Sequence, residues 1–293
     1  MTETVLVAGS LDRTARWLAV HLAEQGWDVT CVGLSQTERE LEEYRGLSFR
    51  TADLTEQVEM ADVVSSEDPD AVVHWTPLPS PERHAGMRVF ENNVISAYNV
   101  LTAAGRANAR VAWASSESAY GFPLSGAPSL PEYLPLDESY PLRPEDPYGT
   151  SKVVGEEIGR MVARRYDVPV ASIRASWVQF PGKYDCLDAR SDLAAGAGNF
   201  WSYVDVRDVA TAIECAITAQ FDGHEPFLVG AEDNYLDRPI EGALRDFFGG
   251  LPDECRVSGS DSALSTEKIR SMLGWRPTNS WRDSMDESES ILA

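Results

Sequence analysis

The sequence predicts an α/β fold: a doubly wound parallel sheet followed by a small C-terminal lobe. Three observations carry that expectation. Short apolar runs rich in valine and alanine alternate with longer stretches of helical apolar spacing through the first two-thirds of the 293 residues. The first run, "TVLV", leads through one alanine to Gly9 and then into a helical stretch, the place of a ligand-holding turn in open sheets. Hydrophobic residues make up 43% of the chain, enough for a large core in one domain and a lobe.

In order, residues 3–9 read as a strand and 13–25 have helical spacing. Strands follow at 27–34, 47–54 and 70–76, then a long helix at 86–106. Residues 109–116 form the next strand, 147–166 a helix and 169–176 a further strand. The stretch 121–147 is rich in proline and acid and reads as an ordered loop near the site. Beyond 180 the pattern shortens, with helices at 205–219 and 239–248 and a polar, acidic tail at 282–293 expected to be mobile. The expected division is a sheet domain over 1–180, also receiving 199–220, and a lobe over most of 181–293.

The net charge of −22 makes nucleic acid and anionic lipid poor partners. Lysine occurs only at 152, 183 and 268, and the acid excess resembles that of proteins from salt-accumulating cells, where salt screens self-repulsion. No apolar run approaches the ~20 residues of a membrane span. The first ten residues lack the basic and long apolar regions of a signal peptide, so a cytoplasmic location is expected. The four cysteines are widely spaced and suggest no metal site.

The strongest local signal is "YGTSK", Tyr148 to Lys152, at a helix start. Positions i and i+4 share a helix face, so phenol and ammonium point together. A nearby cation favours phenolate and lowers a tyrosine pKa, which suits proton transfer to a carbonyl or from a hydroxyl. Upstream, "ASSESAYG" places Ser115 and Ser116 at a carboxyl end of the sheet, where a hydroxyl can hold a substrate oxygen or simply cap a turn.

The ordered series "VLVAGS", "ADLTE", "AVVHW", "NNVISAYNVLTAA", "WASSESAYG", "PYGTSKVVGEE", "IRASWVQFPG", "YVDVRDVATAI" and "LGWRPTNSW" resembles an extended short-chain dehydrogenase/reductase of the NAD-dependent epimerase/dehydratase family. The resemblance implies a Rossmann-like domain with a substrate-binding lobe and a bound NAD or NADP. It implies Tyr148 as acid/base, Ser116 positioning the reacting oxygen and Lys152 also holding the nicotinamide ribose. Expected cofactor contacts are Gly9, Leu11, Asp12, Arg13, Asp53, Leu54, Trp75 and Asn93, besides Tyr148 and Lys152. Asn93 suits a structural role equally well. The resemblance also implies a homodimer through helices 86–106 and 147–166, and an ion pair of Asp205 and Arg207.

Three departures lie on the dinucleotide path. Of three turn glycines spaced GxxGxxG, only Gly9 remains, with Asp12 and Ala15 at the other places. Asp12 brings a carboxylate toward the phosphates, or caps the helix itself, while Arg13 offsets that charge or grips a phosphate. Gly33 stands where an NAD enzyme carries an acid, with no arginine before Arg39, so the choice between NAD and NADP is unreadable. Trp75 and Pro77 are bulkier than the family's small residues there.

In the lobe, Trp177 replaces an asparagine usual in nucleotide-sugar enzymes, and Phe200 and Trp201 suit either stacking on a sugar ring or filling the lobe's core. Ser116, Ser118, Trp177, Phe200 and Trp201 are the expected substrate contacts. The expected function is an NAD(P)-dependent oxidoreductase on a small carbohydrate-like alcohol or carbonyl. The alternatives are a nucleotide-sugar epimerase or dehydratase, and a non-catalytic relative that binds a metabolite or partner.

Overall fold

The computed structural model describes residues 2–9, 12–34, 46–75, 78, 84–284 and 287. Seven strands form one sheet: β1 (Thr4–Ala8), β2 (Asp28–Gly33), β3 (Leu47–Thr51), β4 (Ala71–His74), β5 (Arg110–Ala114), β6 (Val170–Ala175) and β7 (His224–Val229). All pairs are parallel, in the order β7-β6-β5-β4-β1-β2-β3. The order reverses between β1 and β4, where Ala8 is level with His74. Such a reversal opens a crevice beyond the strands' carboxyl ends.

The main helices are α1 (Arg13–Glu24), α2 (Gln57–Glu67), α3 (Gly86–Arg106), α4 (Pro147–Tyr166), α5 (Val206–Thr218), α6 (Ile240–Phe248) and α7 (Glu267–Leu273). The alternation along β1 shows why both sheet faces are covered. Val5 and Val7 join a core with Leu18 and Leu22 of α1 and Val209 and Ile213 of α5. Leu6 and Ala8 join another with Met60 of α2, Leu101 of α3 and Val162 of α4. Gly155 brings α4 onto β5, since a Cβ there would stand 2.4 Å from the Trp113 ring.

The helices at 86–106 and 147–166 have the bounds read from the sequence. Among the elements of the sheet domain that escape that reading are β7 and α2. Strand β7 contains Pro226, which a sheet accepts at an edge, and β7 is an edge. Helix α2 buries only Met60 and Val64, so its periodicity is faint.

The lobe has its own core, in which Phe122, Tyr140, Phe200, Trp201, Tyr235 and Leu244 are buried together. Two small parallel pairs tie it down, Tyr133–Leu134 with Glu254–Cys255 and Val178–Gln179 with Val204–Asp205. The sheet domain receives more late sequence than 199–220. Besides β7, Ile269 and Trp275 pack in the core beside α1 and α5. Asp208 of α5 fastens that return: its carboxylate accepts from the N–H groups of Thr278 (2.9 Å) and Asn279 (3.0 Å). The Trp275 indole donates to the Asp208 carbonyl at 3.1 Å. Of the tail read as mobile, 282–284 belong to the helical turn Trp281–Ser284; only 287 of the rest lies within the described residues. Among the described residues no helix is long and apolar enough to cross a membrane.

Candidate active site

At the end of β5 the chain turns through Ser115 and Ser116, and the Ser116 hydroxyl caps a short helical turn by accepting from the Ser118 N–H at 3.1 Å. Helix α4 starts opposite. Pro147 occupies its first turn and the Asp146 carboxylate accepts from the Gly149 N–H at 2.8 Å, which fixes the helix end beside the strand. Tyr148 thereby faces Ser116, whose hydroxyl favours its phenolate. One helical turn on, Lys152 is buried, with its ammonium donating to the Ala114 carbonyl at 2.7 Å and lying 5.0 Å from the Tyr148 ring centre. The three residues meet.

Their electrostatics differ from the sequence expectation. Lys152 does not draw the phenol down. Burial raises Tyr148 to about 12, with the Ser116 hydroxyl opposing and the carboxylates of Asp146, Glu117 and Asp12 adding to the rise. Burial also lowers Lys152 to about 7. The floor of the site disfavours charge on both groups.

A buried network holds this floor. Arg174 of β6 donates from Nε and Nη2 to the two oxygens of Glu156 at 2.8 and 2.7 Å. Ser115 donates to Glu156 at 2.7 Å, and Arg174 also donates to the Tyr120 hydroxyl at 2.9 Å. Both ends of the 115–120 segment are thus tied to one ion pair.

The β1–α1 end is built differently. Gly9 lies so close to the chain leaving β4 that a Cβ on it would stand 1.9 Å from the Trp75 carbonyl oxygen. Asp12 is the N-cap of α1, its carboxylate accepting from the Ala15 N–H at 2.9 Å. The Arg13 guanidinium lies 3.8 Å above the centre of the Phe180 ring, which comes from beyond the Val178–Gln179 strand. Leu11, Arg39 and Pro77 lie outside the described residues.

A cleft of about 830 Å³ joins the two ends. Asp12, Arg13 and Trp75 line one end, Tyr148 and Lys152 the middle, and Trp177 and Asn199 the lobe side; Ser118 lines it too. Pro123 and Leu124 of the proline-rich loop also reach it. Phe200 and Trp201 do not: both are buried in the lobe's core, Phe200 against Phe122 and both rings against Phe248. The backbone leaves the cleft after Asn199, and consecutive left-handed conformations at Phe200 and Trp201 turn the chain inward. Asp53 accepts from the N–H and hydroxyl of Thr55 at 2.9 and 2.7 Å, while Leu54 is buried and its carbonyl accepts from Asn99. Buried Asn93 donates to the Leu78 carbonyl at 3.1 Å and to the Ser151 hydroxyl at 3.4 Å, which joins α3 to α4. Asp205 and Arg207 form the expected pair, two nitrogens on two oxygens at 2.9 and 3.0 Å.

Among the cleft residues that sequence reading missed are Phe180, Asn199 and Glu117. Phe180 lay three places past Trp177 in "SWVQFPG", and Asn199 just before the aromatic pair. Glu117 stood inside "ASSESAYG"; it is buried, accepts from the Ser176 hydroxyl at 3.0 Å, and burial raises its carboxyl to about 8.

Comparison with known proteins agrees with this architecture. The model of the family described as NAD dependent epimerase/dehydratase matches residues 5–230. The UDP-glucose 4-epimerase of Streptococcus mutans is 25% identical, with 99% of this chain and 94% of that protein covered. The L-arabinose 1-dehydrogenase (NAD(P)(+)) of Haloferax volcanii is 31% identical over 180 residues, 59% of this chain and 66% of that one. The chain spans about half the length of other curated relatives it matches. Among solved structures, MoeE5 in complex with UDP-glucuronic acid and NAD has a TM-score of 0.71 at 20% identity, with 97% of both chains covered.

Proposed function

The chain belongs to the NAD-dependent epimerase/dehydratase family, and from that premise we propose that it moves hydride between a sugar carbinol carbon and NAD, with Tyr148 handling the hydroxyl proton. The observation that carries this reading is Tyr148 and Lys152 side by side on the floor of an open cleft, with Ser116 beside Tyr148 at the end of β5.

The residues present fit the nicotinamide end of such a cofactor. Lys152 and Tyr148 face the cleft side by side, and Gly9 keeps the backbone of the β1–α1 turn bare where a side chain has no room. NAD bound there supplies the hydride acceptor. Ser116 holds the substrate oxygen within reach of the Tyr148 hydroxyl. Tyr148 takes the proton as that oxygen becomes a carbonyl and returns it in the reverse direction. Burial holds the proton on the Tyr148 phenol, which suits donation to a carbonyl oxygen, and the Ser116 hydroxyl eases its loss in the opposite direction. Trp177, Ser118 and Asn199 are positioned to meet the sugar from the lobe side.

The names of the relatives favour a nucleoside-diphosphate sugar and epimerisation, in which oxidation and reduction occur at one carbon. One observation favours a second reading, oxidation of a small free sugar. Among the described residues lining the cleft, the cations are Arg13 and Lys152, both from the sheet side, whereas a diphosphate on the lobe side calls for a cation there. The Haloferax volcanii dehydrogenase is a relative of that second kind.

Incubation with NAD and, separately, UDP-glucose and L-arabinose tests the proposal. The 4-epimer of UDP-glucose forming without accumulated NADH supports the first reading. NADH accumulating with the free sugar supports the second. Failure of folded protein to bind NADH or NADPH overturns both and leaves a binding role for the fold.

A further inference from the structure

Glu156 and Glu117 are both buried beside the floor of the cleft, and the fold accounts for the first of them. Glu156 is matched on both oxygens by the Arg174 guanidinium. Glu117, 6% exposed, has no cation within ion-pair distance among the described residues. The Ser176 hydroxyl donates to its Oε2 at 3.0 Å, and the Trp177 backbone also favours its ionised form. Burial outweighs both and raises the carboxyl to about 8, so near neutral pH it keeps its proton. A protonated carboxyl is a donor as well as an acceptor, and the groups that Glu117 meets here are themselves donors. Glu117 lines the cleft together with Tyr148, Ser118 and Trp177, and its charge bears on the Tyr148 phenol. Its segment is held at both ends, Ser115 donating to Glu156 and Tyr120 accepting from Arg174.

We propose that Glu117 is a specificity-determining residue that holds a second hydroxyl of the sugar whose first hydroxyl Tyr148 handles, so that the cleft rejects rings lacking that one group. This rests on the sugar reading above and deepens it. Tyr148 sets which hydroxyl reacts, and Glu117 sets what must stand elsewhere on the ring. Rejection comes from leaving a dry carboxyl unpaired, a larger penalty than the loss of an apolar contact. A hydroxyl both donates and accepts, so it answers a carboxyl that offers both functions. An ether or a methylene at the same place does not.

The test uses the full chain with NAD and whichever of UDP-glucose and L-arabinose it turns over, beside analogues of that sugar with one ring hydroxyl replaced by hydrogen. Wild type, Glu117→Gln, Glu117→Met and Glu117→Ala are compared, with melting curves as the folding check. In wild type, one analogue altered away from the reacting carbon is expected to fall about 10²–10⁴-fold in kcat/KM. Glu117→Gln, whose amide still accepts from Ser176 and donates into the cleft, is expected to keep most of that discrimination. In Glu117→Met, which fills the same space, and in Glu117→Ala, the parent sugar is expected to fall until it and that analogue differ by less than about threefold. Discrimination against the other analogues stays as in wild type, whereas a purely structural role would lower all the sugars together. Discrimination that survives in the folded Met or Ala variant, or a loss spread evenly over the analogues, overturns the proposal and leaves the NAD reading intact. Turnover of neither sugar by folded wild type with NAD overturns this proposal and the sugar reading together.

Discussion

The two ends of the cleft solve the same problem, holding polar ligand groups at strand ends, by opposite means. At the β5–α4 end the charged groups are anchored in the protein: Glu156 and Arg174 lock each other, and Lys152 donates to the Ala114 carbonyl. At the β1–α1 end the fixed element is bare backbone at Gly9, while Asp12 caps α1 and Arg13 lies over the uncharged ring of Phe180. Chemistry that must place a proton within tenths of an ångström sits on buried, mutually braced groups.

The largest effect should come from the rigid end. Tyr148→Phe removes the proton carrier while leaving the ring in place, so turnover should fall by about 10²–10⁴-fold. NADH affinity should stay within about twofold. A variant that loses binding along with turnover would erase the contrast between the ends. Second, Gly9→Ala sets a methyl against the Trp75 carbonyl and should lower stability by about 1–3 kcal/mol in denaturant melts. A neutral result would mean that the turn is as pliable as the side chains around it.

Third, Lys152 titrates at about 7 in the folded protein and at its ordinary 10.5 when unfolded. Between those values the unfolded chain holds a proton that the folded one lacks, so this group makes stability rise with pH across that window and fall away toward pH 7. Lys152→Met should show a flatter pH dependence of melting from about pH 7 to pH 10, with turnover impaired. The smallest expected effect lies at the β1–α1 end: Asp12→Ala should lose about 1 kcal/mol with its cap, while Asp12→Asn stays near wild type in thermal melts.

How much of this was legible depended on where each residue draws its partners. Lys152 and Tyr148 were readable because a helix fixes their spacing, and Ser116 because a strand end fixes its place. Their electrostatics were not readable. Proximity of a lysine says nothing about how dry the surroundings are, and dryness raises Tyr148 here. Phe200 and Trp201 were ambiguous for a related reason: an aromatic pair next to a site reads alike whether the backbone turns toward the ligand or away. Phe180 was invisible as a partner of Arg13, because 167 positions separate them and no period connects them. The edge strand β7 was hidden by one proline.

The fastening of Asp208 to Thr278 and Asn279 has a consequence for how the molecule is made. All seven strands have left the ribosome by Val229, yet the core beside α1 and α5 still lacks Ile269 and Trp275, some forty residues downstream. A nascent chain therefore carries a finished sheet with an open seam, and that seam closes only when the lobe has already been threaded out between its two halves. A chain that stops short of Ile269 would leave part of the apolar side of α5 uncovered, so the segment from Ile269 to Asn279 works as a clasp on the first domain.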